Sequence, residues 1–307
     1  MNTPNFFIVG AAKAGTTSLY NYLLNHPEVY LSPIKEPNYF NTELKFKDCR
    51  KEVQKKINLN KKYFSREKLK KKHIACLDNL EDYLKLFREV TSEKVIAEAS
   101  TSYLASVNAA KEIYKFNSKA KILIVLREPV SRTISHYNMD LDTGKNTGHM
   151  LDDIKNDFNS TKKGYFVSNM YVELSLYYNQ VKRYLDVFPK EQILVLRFED
   201  LIKDRLNVLS KLCDFLNIDF YKLPNIDKKV FNKTTVPKFG IVRRLMWLNN
   251  ILPKSIKSQL LFMKTIFFTT YKKEETPKRT IDFLKSLLDL DFERTNNLLD
   301  NHFNTEL

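Results

Sequence analysis

One stretch near the start constrains this chain more than any other: Phe6-Phe7-Ile8-Val9-Gly10-Ala11-Ala12-Lys13-Ala14-Gly15-Thr16-Thr17-Ser18-Leu19. Four consecutive apolar residues predict a short, fully buried strand. Thr17 to Leu24 predicts a helix, with Leu19, Leu23 and Leu24 on one side. A strand, a small-residue loop and a helix N-terminus together make an anion cradle. Backbone N–H groups without intrahelical partners converge there, and the helix dipole adds partial positive charge. The expected ligand is a phosphate-like group.

The loop has the glycine separation of a P-loop but not its lysine. In GxxxxGK[ST] the lysine directly follows the second glycine and reaches the terminal phosphates, while a hydroxyl holds Mg²⁺. Here Thr16 follows Gly15, and the lysine, Lys13, lies inside the loop. Positive charge therefore sits at the middle of the cradle, where it can meet a bridging oxygen or a terminal group. A diverged nucleoside or sugar kinase stays open on this stretch alone.

The chain has 307 residues and a net charge of +15, which favours polyanionic partners such as nucleic acid, anionic lipid, acidic polysaccharide or a polyphosphorylated cofactor. Much of that charge lies in Lys45–Lys72, which equally describes a solvated face. With only 6 glycines against 21 Phe and 16 Tyr, low-complexity segments are not expected. Cys49, Cys76 and Cys213 are odd in number and widely spaced, so they fit neither a disulfide framework nor a zinc site and suggest a reducing compartment. No secretory leader and no apolar run of about 18 residues is visible. The expectation is a cytoplasmic protein, with possible peripheral contact at the inner membrane face.

Further along, Pro27 stops the first helix, and Pro33 and Pro37 bracket an ordered loop that carries Lys35 and Glu36. Residues 41–94 read as a lysine-rich, mostly helical insertion. Val95–Glu98 predicts a second strand. Lys121–Leu126 predicts a third, of the continuous apolar kind found in parallel sheets, with Arg127 at its carboxyl end. Pro129 opens the next helix, in which Ser135 lies two turns along. In an open parallel sheet ligands bind beyond the carboxyl ends of strands, so Arg127 and Ser135 are candidates for clamping a second phosphate. Gly144–Ser168 reads as a polar loop over the site, Tyr171–Phe188 as a helix and Ile193–Phe198 as a core strand. A basic loop with Lys238 and C-terminal helices from about residue 241 complete the chain. The aromatic, lysine-studded run Leu245–Tyr271 is a candidate membrane-surface helix. The prediction is an α/β fold, a parallel sheet flanked by helices with a P-loop-like strand–loop–helix at the N-terminus, in one domain spanning 1–307.

Taken together, the Gly10–Leu19 loop, the Lys35–Phe40 stretch and Leu126–Tyr137 resemble the PAPS-dependent sulfotransferases, in particular the carbohydrate-type and bacterial branch near the heparan sulfate enzymes. PAPS is 3′-phosphoadenosine 5′-phosphosulfate. Glu98–Tyr103, Glu199-Asp200-Leu201 and Phe283–Leu299 follow the same pattern in order. The resemblance implies that Lys13, Ala14, Gly15, Thr16, Thr17 and Ser18 hold the phosphosulfate, with Lys13 near its bridging oxygen. It implies that Arg127 and Ser135 hold the 3′-phosphate, that Lys238 adds to donor binding, and that Glu36 is the general base. No metal is expected; the acceptor implied is a hydroxyl of a saccharide or glycolipid, not a nucleic acid. One departure stands out: the heparan-type lysine after the glutamate corresponding to Glu98 is here Ala99. The rival outside enzymology is a basic protein that binds nucleic acid or a membrane surface through Lys45–Lys72.

Overall fold

In the computed structural model, residues 2–59, 61–142, 146–224, 235–237, 268–270 and 275–303 are described. The chain opens with β1 (Phe6–Gly10) and α1 (Thr16–Leu23), then β2 (Val29–Leu31) and β3 (Ile34–Glu36). It continues through α2 (Lys51–Ile57), β4 (Lys72–Ile74), α3 (Leu80–Lys85) and β5 (Val95–Ala99). Next come α4 (Ala109–Phe116), β6 (Lys121–Leu126), α5 (Pro129–Asp142) and α6 (Met150–Asn159). After α7 (Tyr177–Leu185), β7 (Ile193–Arg197), α8 (Phe198–Lys203) and α9 (Arg205–Leu216) come the short strands β8 (Thr235–Pro237) and β9 (Phe268–Thr270) and the long α10 (Lys278–Phe303).

The main sheet is β2-β5-β1-β6-β7, and every pairing in it is parallel. Its strands are apolar without alternation because helices cover both faces. Phe6, Phe7, Ile8 and Val9 are completely buried, as are Ile122 to Leu126. Burying one such side chain contributes about 1.5–3 kcal/mol, so these two strands anchor the core. From β1 the chain runs first to β2 and β5 on one side, then crosses to β6 and β7 on the other. β1 is thus the switch point, and the carboxyl ends of β5, β1 and β6 open a crevice between them. A second apolar cluster joins Val130, Ile134 and Tyr137 of α5 to Ile154 of α6 and Leu284 and Leu288 of α10.

Four sequence expectations change. The first helix starts at Thr16, one residue early. Residues 41–94, expected to be mostly helical, carry among the described residues only two short helices, α2 and α3, besides two 3₁₀ turns; β4 pairs with β3 in register Ile34↔Lys72 and Glu36↔Ile74. Lysine density reported polarity there, but backbone pairing with β3 set the conformation. The polar stretch 144–168 contains α6. The helix expected from Tyr171 begins only at Tyr177, after a 3₁₀ turn at Glu173–Ser175. Its upstream backbone is engaged elsewhere: Tyr171 N donates to the Asp157 carboxylate, and Tyr171 O accepts from Arg132. Of the C-terminal region from about 241, α10 is described; Lys238 and most of Leu245–Tyr271 lie outside the described residues. No helix among the described residues is long and apolar enough to cross a membrane.

Candidate active site

The loop after β1 is shaped by close approach. A Cβ on Gly10 would lie 2.6 Å from Leu104 Cβ, so the loop can pass here only without a side chain. Lys13 takes a left-handed φ of 70° and Gly15 one of 88°, at the N-cap of α1. That conformation costs a non-glycine residue free energy, so the surroundings must hold Lys13 in it. Arg127, just beyond β6, does so in part: its Nη1 donates to Lys13 O at 3.1 Å, while its guanidinium stacks 4.5 Å over the Phe198 ring. Arg132 does so from beneath. It is fully buried in α5, with Nε on Ser175 Oγ, Nη2 on Tyr171 O and Nη1 reaching Ala12 O at 3.4 Å. Burial pushes its guanidinium down to about 10, so it stays charged at neutral pH behind the loop.

Arg132 carries a role that the sequence reading missed. One signal was available: a cation in the first turn of a helix opposes the macrodipole and calls for a reason.

A cleft of about 1650 Å³ lies above the loop. Ala12, Lys13, Thr16 and Thr17 line it from one side, Lys35, Glu36 and His73 from another, with Thr101, His136 and Tyr165 completing the neighbourhood. The structure thus brings Lys13, Thr16, Thr17 and Glu36 together. Ala14, Gly15 and Ser18 belong to the same loop and first helical turn without lining the cleft. Arg127 lies under the loop and Ser135 on α5 beside His136; neither lines the cleft. Among the described residues, no group of three or more His, Cys, Asp or Glu could hold a metal ion.

Glu36 is buried at the end of β3. Its Oε1 accepts from Lys35 Nζ at 3.0 Å and its Oε2 from Thr101 Oγ1 at 3.4 Å. Its backbone is fixed by Asn38, which adopts φ 57° and donates from Nδ2 to Glu36 O and Ala75 O at 2.9 and 2.8 Å. Ser102 donates to Asn38 Oδ1, and Asn38 N donates to Ser100 Oγ. Tyr39 stacks on Tyr83 at 4.4 Å, and Phe40 sits edge-on to Tyr83 and Tyr103. Proline flanks marked this loop as rigid; the polar and aromatic partners that make it so come from Ser100–Tyr103, just past β5, and from Tyr83 of α3, far along the chain. Burial lowers the His73 pKa, and the nearby Glu36 charge opposes that.

Glu98, at the end of β5, accepts from Tyr83 OH and Ser100 Oγ. Burial nonetheless pushes its carboxyl from 4.5 up to about 7. The folded state therefore holds this proton more tightly than the unfolded chain. Stability from this group is full below about pH 4.5 and falls as pH rises toward 7, by on the order of 3 kcal/mol. Glu98→Gln should abolish that decline: urea titrations at pH 5 and pH 8 are expected to converge for the variant and differ for the wild type. An identical pH slope in both proteins would remove Glu98 as its source. The next residue, Ala99, is fully buried and pairs with Ile8, so the position of the heparan-type lysine is part of the core here.

Residues 4–222 match the profile described as the Sulfotransferase family. The chain belongs to the sulfotransferase family. That family membership decides against the kinase alternative. Carbohydrate sulfotransferase 15 of Rattus norvegicus is 27% identical, with 70% of this chain aligned to 44% of that protein. Heparan sulfate glucosamine 3-O-sulfotransferase 5 of Homo sapiens is 28% identical, covering 70% and 54%, and the membrane-associated sulfotransferase kil1 of Dictyostelium discoideum 23%, covering 70% and 56%. The chain spans about half the length of these curated relatives. A sulfotransferase of known structure from Alicyclobacillus acidocaldarius superposes with a TM-score of 0.68 at 26% identity, covering 97% of this chain and 96% of that one.

Proposed function

We propose that this sulfotransferase takes the sulfuryl group of PAPS and places it on a hydroxyl of a saccharide or glycolipid, with Glu36 as general base. The observation that carries the reading is one cleft with Lys13 on its anion-binding loop and Glu36 on the facing wall. The residues present suit the donor. Arg127 Nε is buried and has no hydrogen-bond partner among the described residues, in line with a further acceptor at that point. Gly15 keeps the helix N-terminus open to an anion.

When bound, PAPS supplies a sulfuryl group on a good leaving group, and its transfer to the acceptor oxygen breaks the sulfur–oxygen bond to the 5′-phosphate. Thr16, Thr17 and Ser18 at the start of α1 hold the 5′-phosphate with backbone N–H groups and hydroxyls. Lys13 stabilises the charge that develops on the bridging oxygen. Glu36 takes the proton of the attacking hydroxyl. By analogy with phosphoryl transfer the transition state is loose, so positioning and electrostatics supply most of the rate. Arg127 and Ser135 hold the 3′-phosphate, and Lys238 joins them from the basic loop. Relatives named for carbohydrate and heparan sulfate sulfation support a saccharide acceptor, and a membrane-associated relative supports one presented at a surface. With Ala99 in the core, Lys35 is the lysine beside the base.

The donor assignment is tested on the nucleotide. PAP, the desulfated product, should bind far more tightly than adenosine 5′-phosphosulfate, which lacks the 3′-phosphate. Arg127→Ala should weaken PAP by about 1.5–3 kcal/mol, the size of a charge-assisted hydrogen bond, and adenosine 5′-phosphosulfate by less, since that ligand loses only the support Arg127 gives to Lys13 O. Equal affinity of the wild type for the two nucleotides, read by calorimetry, would refute it.

A further inference from the structure

Glu36 is held by more than its neighbour in sequence. Thr101, 7% exposed and just past the end of β5, donates to Glu36 Oε2 at 3.4 Å and lies 3.0 Å from the Tyr165 hydroxyl. The direction of this chain follows from valence. An ionised carboxylate only accepts, and a threonine hydroxyl has one proton. If Thr101 gives that proton to Glu36, Tyr165 must give its own to Thr101. Burial raises the Tyr165 phenol above its ordinary value, so it keeps the proton this requires. Tyr165 belongs to the segment after α6 that lines the cleft, where Gly164 and Phe166 both take positive φ.

We propose that Thr101 and Tyr165 are positioning residues, a two-hydroxyl strut that aims the Glu36 carboxylate and ties its orientation to the Gly164–Ser168 segment of the cleft wall. Lys35 grips Oε1 and Thr101 grips Oε2, so the carboxylate plane is defined from two sides. Without the strut, the side chain keeps its ion pair but can rotate about it. Misplacing a base by a fraction of an ångström lowers turnover without touching donor binding. The proposal rests on Glu36 being the base, and it adds the means by which a separate wall of the cleft sets its aim.

The test uses sulfuryl transfer from labelled PAPS, measured to water and to a panel of neutral and acidic disaccharides. Thr101→Val removes both hydrogen bonds at nearly constant shape. It should lower kcat about tenfold, the worth of one charge-assisted hydrogen bond, with KM for PAPS and the PAP dissociation constant unchanged. Tyr165→Phe should lower kcat less. The double variant should be no worse than Thr101→Val, because Tyr165 acts only through Thr101. Thr101→Ser should restore most of the rate. Wild-type kcat in Thr101→Val, or additive losses in the double variant, would overturn the strut. Should Thr101→Val not fold, Thr101→Ala, which also removes the hydroxyl, takes its place in the same cycle with Tyr165→Phe. Glu36→Gln separates the two failures: if it retains turnover the base is wrong, and if it collapses while Thr101→Val does not, only the strut is wrong.

Discussion

Glu36→Gln is expected to lower turnover by about 10²–10⁴, the usual contribution of a positioned general base, while the PAP dissociation constant stays near wild type. Glutamine keeps the volume, and its one amide oxygen can still accept from Lys35 Nζ while its amide nitrogen donates to Thr101 Oγ1 with that hydroxyl turned round, so the wall of the cleft should persist. It cannot take a proton from an attacking hydroxyl at neutral pH. The substitution also leaves the buried Lys35 ammonium facing a neutral partner in place of a carboxylate 3.0 Å away. Outright loss of one member of a buried pair costs about 3–5 kcal/mol, and the retained amide oxygen should reduce that. A lower melting temperature is thus part of the expected result, and turnover must be measured well below it. Lys13→Ala provides the contrast, since it should weaken PAP binding and turnover together. If Glu36→Gln keeps most of its turnover while folded, another group takes the proton.

What was legible in the sequence follows from how local each signal is. β1, β6 and β7 announced themselves as continuous apolar runs, because a strand buried on both faces needs no polar residues. Gly10, Lys13 and Gly15 were legible as a cradle because their spacing alone fixes the loop. The flanking prolines made the loop of Glu36 legible as ordered, but by itself Glu36 reads as a surface charge, and only the family resemblance singled it out. The strand order was not legible: nothing in β5 or β6 states that both flank β1, yet that adjacency sets Thr101 and Arg127 at the same end of the sheet, Thr101 on Glu36 and Arg127 on Lys13. The residues that hold the site in shape were the least visible. Thr101 meets Glu36 across 65 residues, Asn38 meets Ser102 across 64, and Arg132 meets Ala12 across 120. A serine, a threonine or an asparagine has no periodicity to betray such a contact. The lysine-rich span 41–94 misled for the opposite reason. Its composition suits a solvated helix, but pairing of β4 with β3 holds part of it extended.

Gly15→Ala is the second large expected effect, and it tests whether the two halves of the donor site are mechanically joined. Gly15 caps α1 at φ 88°, where an alanine costs about 1–2 kcal/mol. Its Cβ would stand 2.8 Å from Phe198 Cδ2 and 3.2 Å from Leu201 Cδ2, both in α8. Relieving that overlap forces a shift costing about 1–3 kcal/mol more. Together these give a loss of about 2–5 kcal/mol. Phe198 is also the ring on which the Arg127 guanidinium rests, and Arg127 in turn holds Lys13 O. Displacing the ring therefore moves the 3′-phosphate clamp as well as the 5′-phosphate loop. PAP should bind at least as weakly in Gly15→Ala as in Arg127→Ala, and adenosine 5′-phosphosulfate should weaken more than it does in Arg127→Ala. Adding Phe198→Leu makes room for the Cβ and should recover part of the melting temperature. It should not recover PAP affinity, because the backbone strain and the loss of the arginine's ring remain. Wild-type PAP affinity in Gly15→Ala would show that the loop and the clamp act independently and that the cradle tolerates a side chain at its centre.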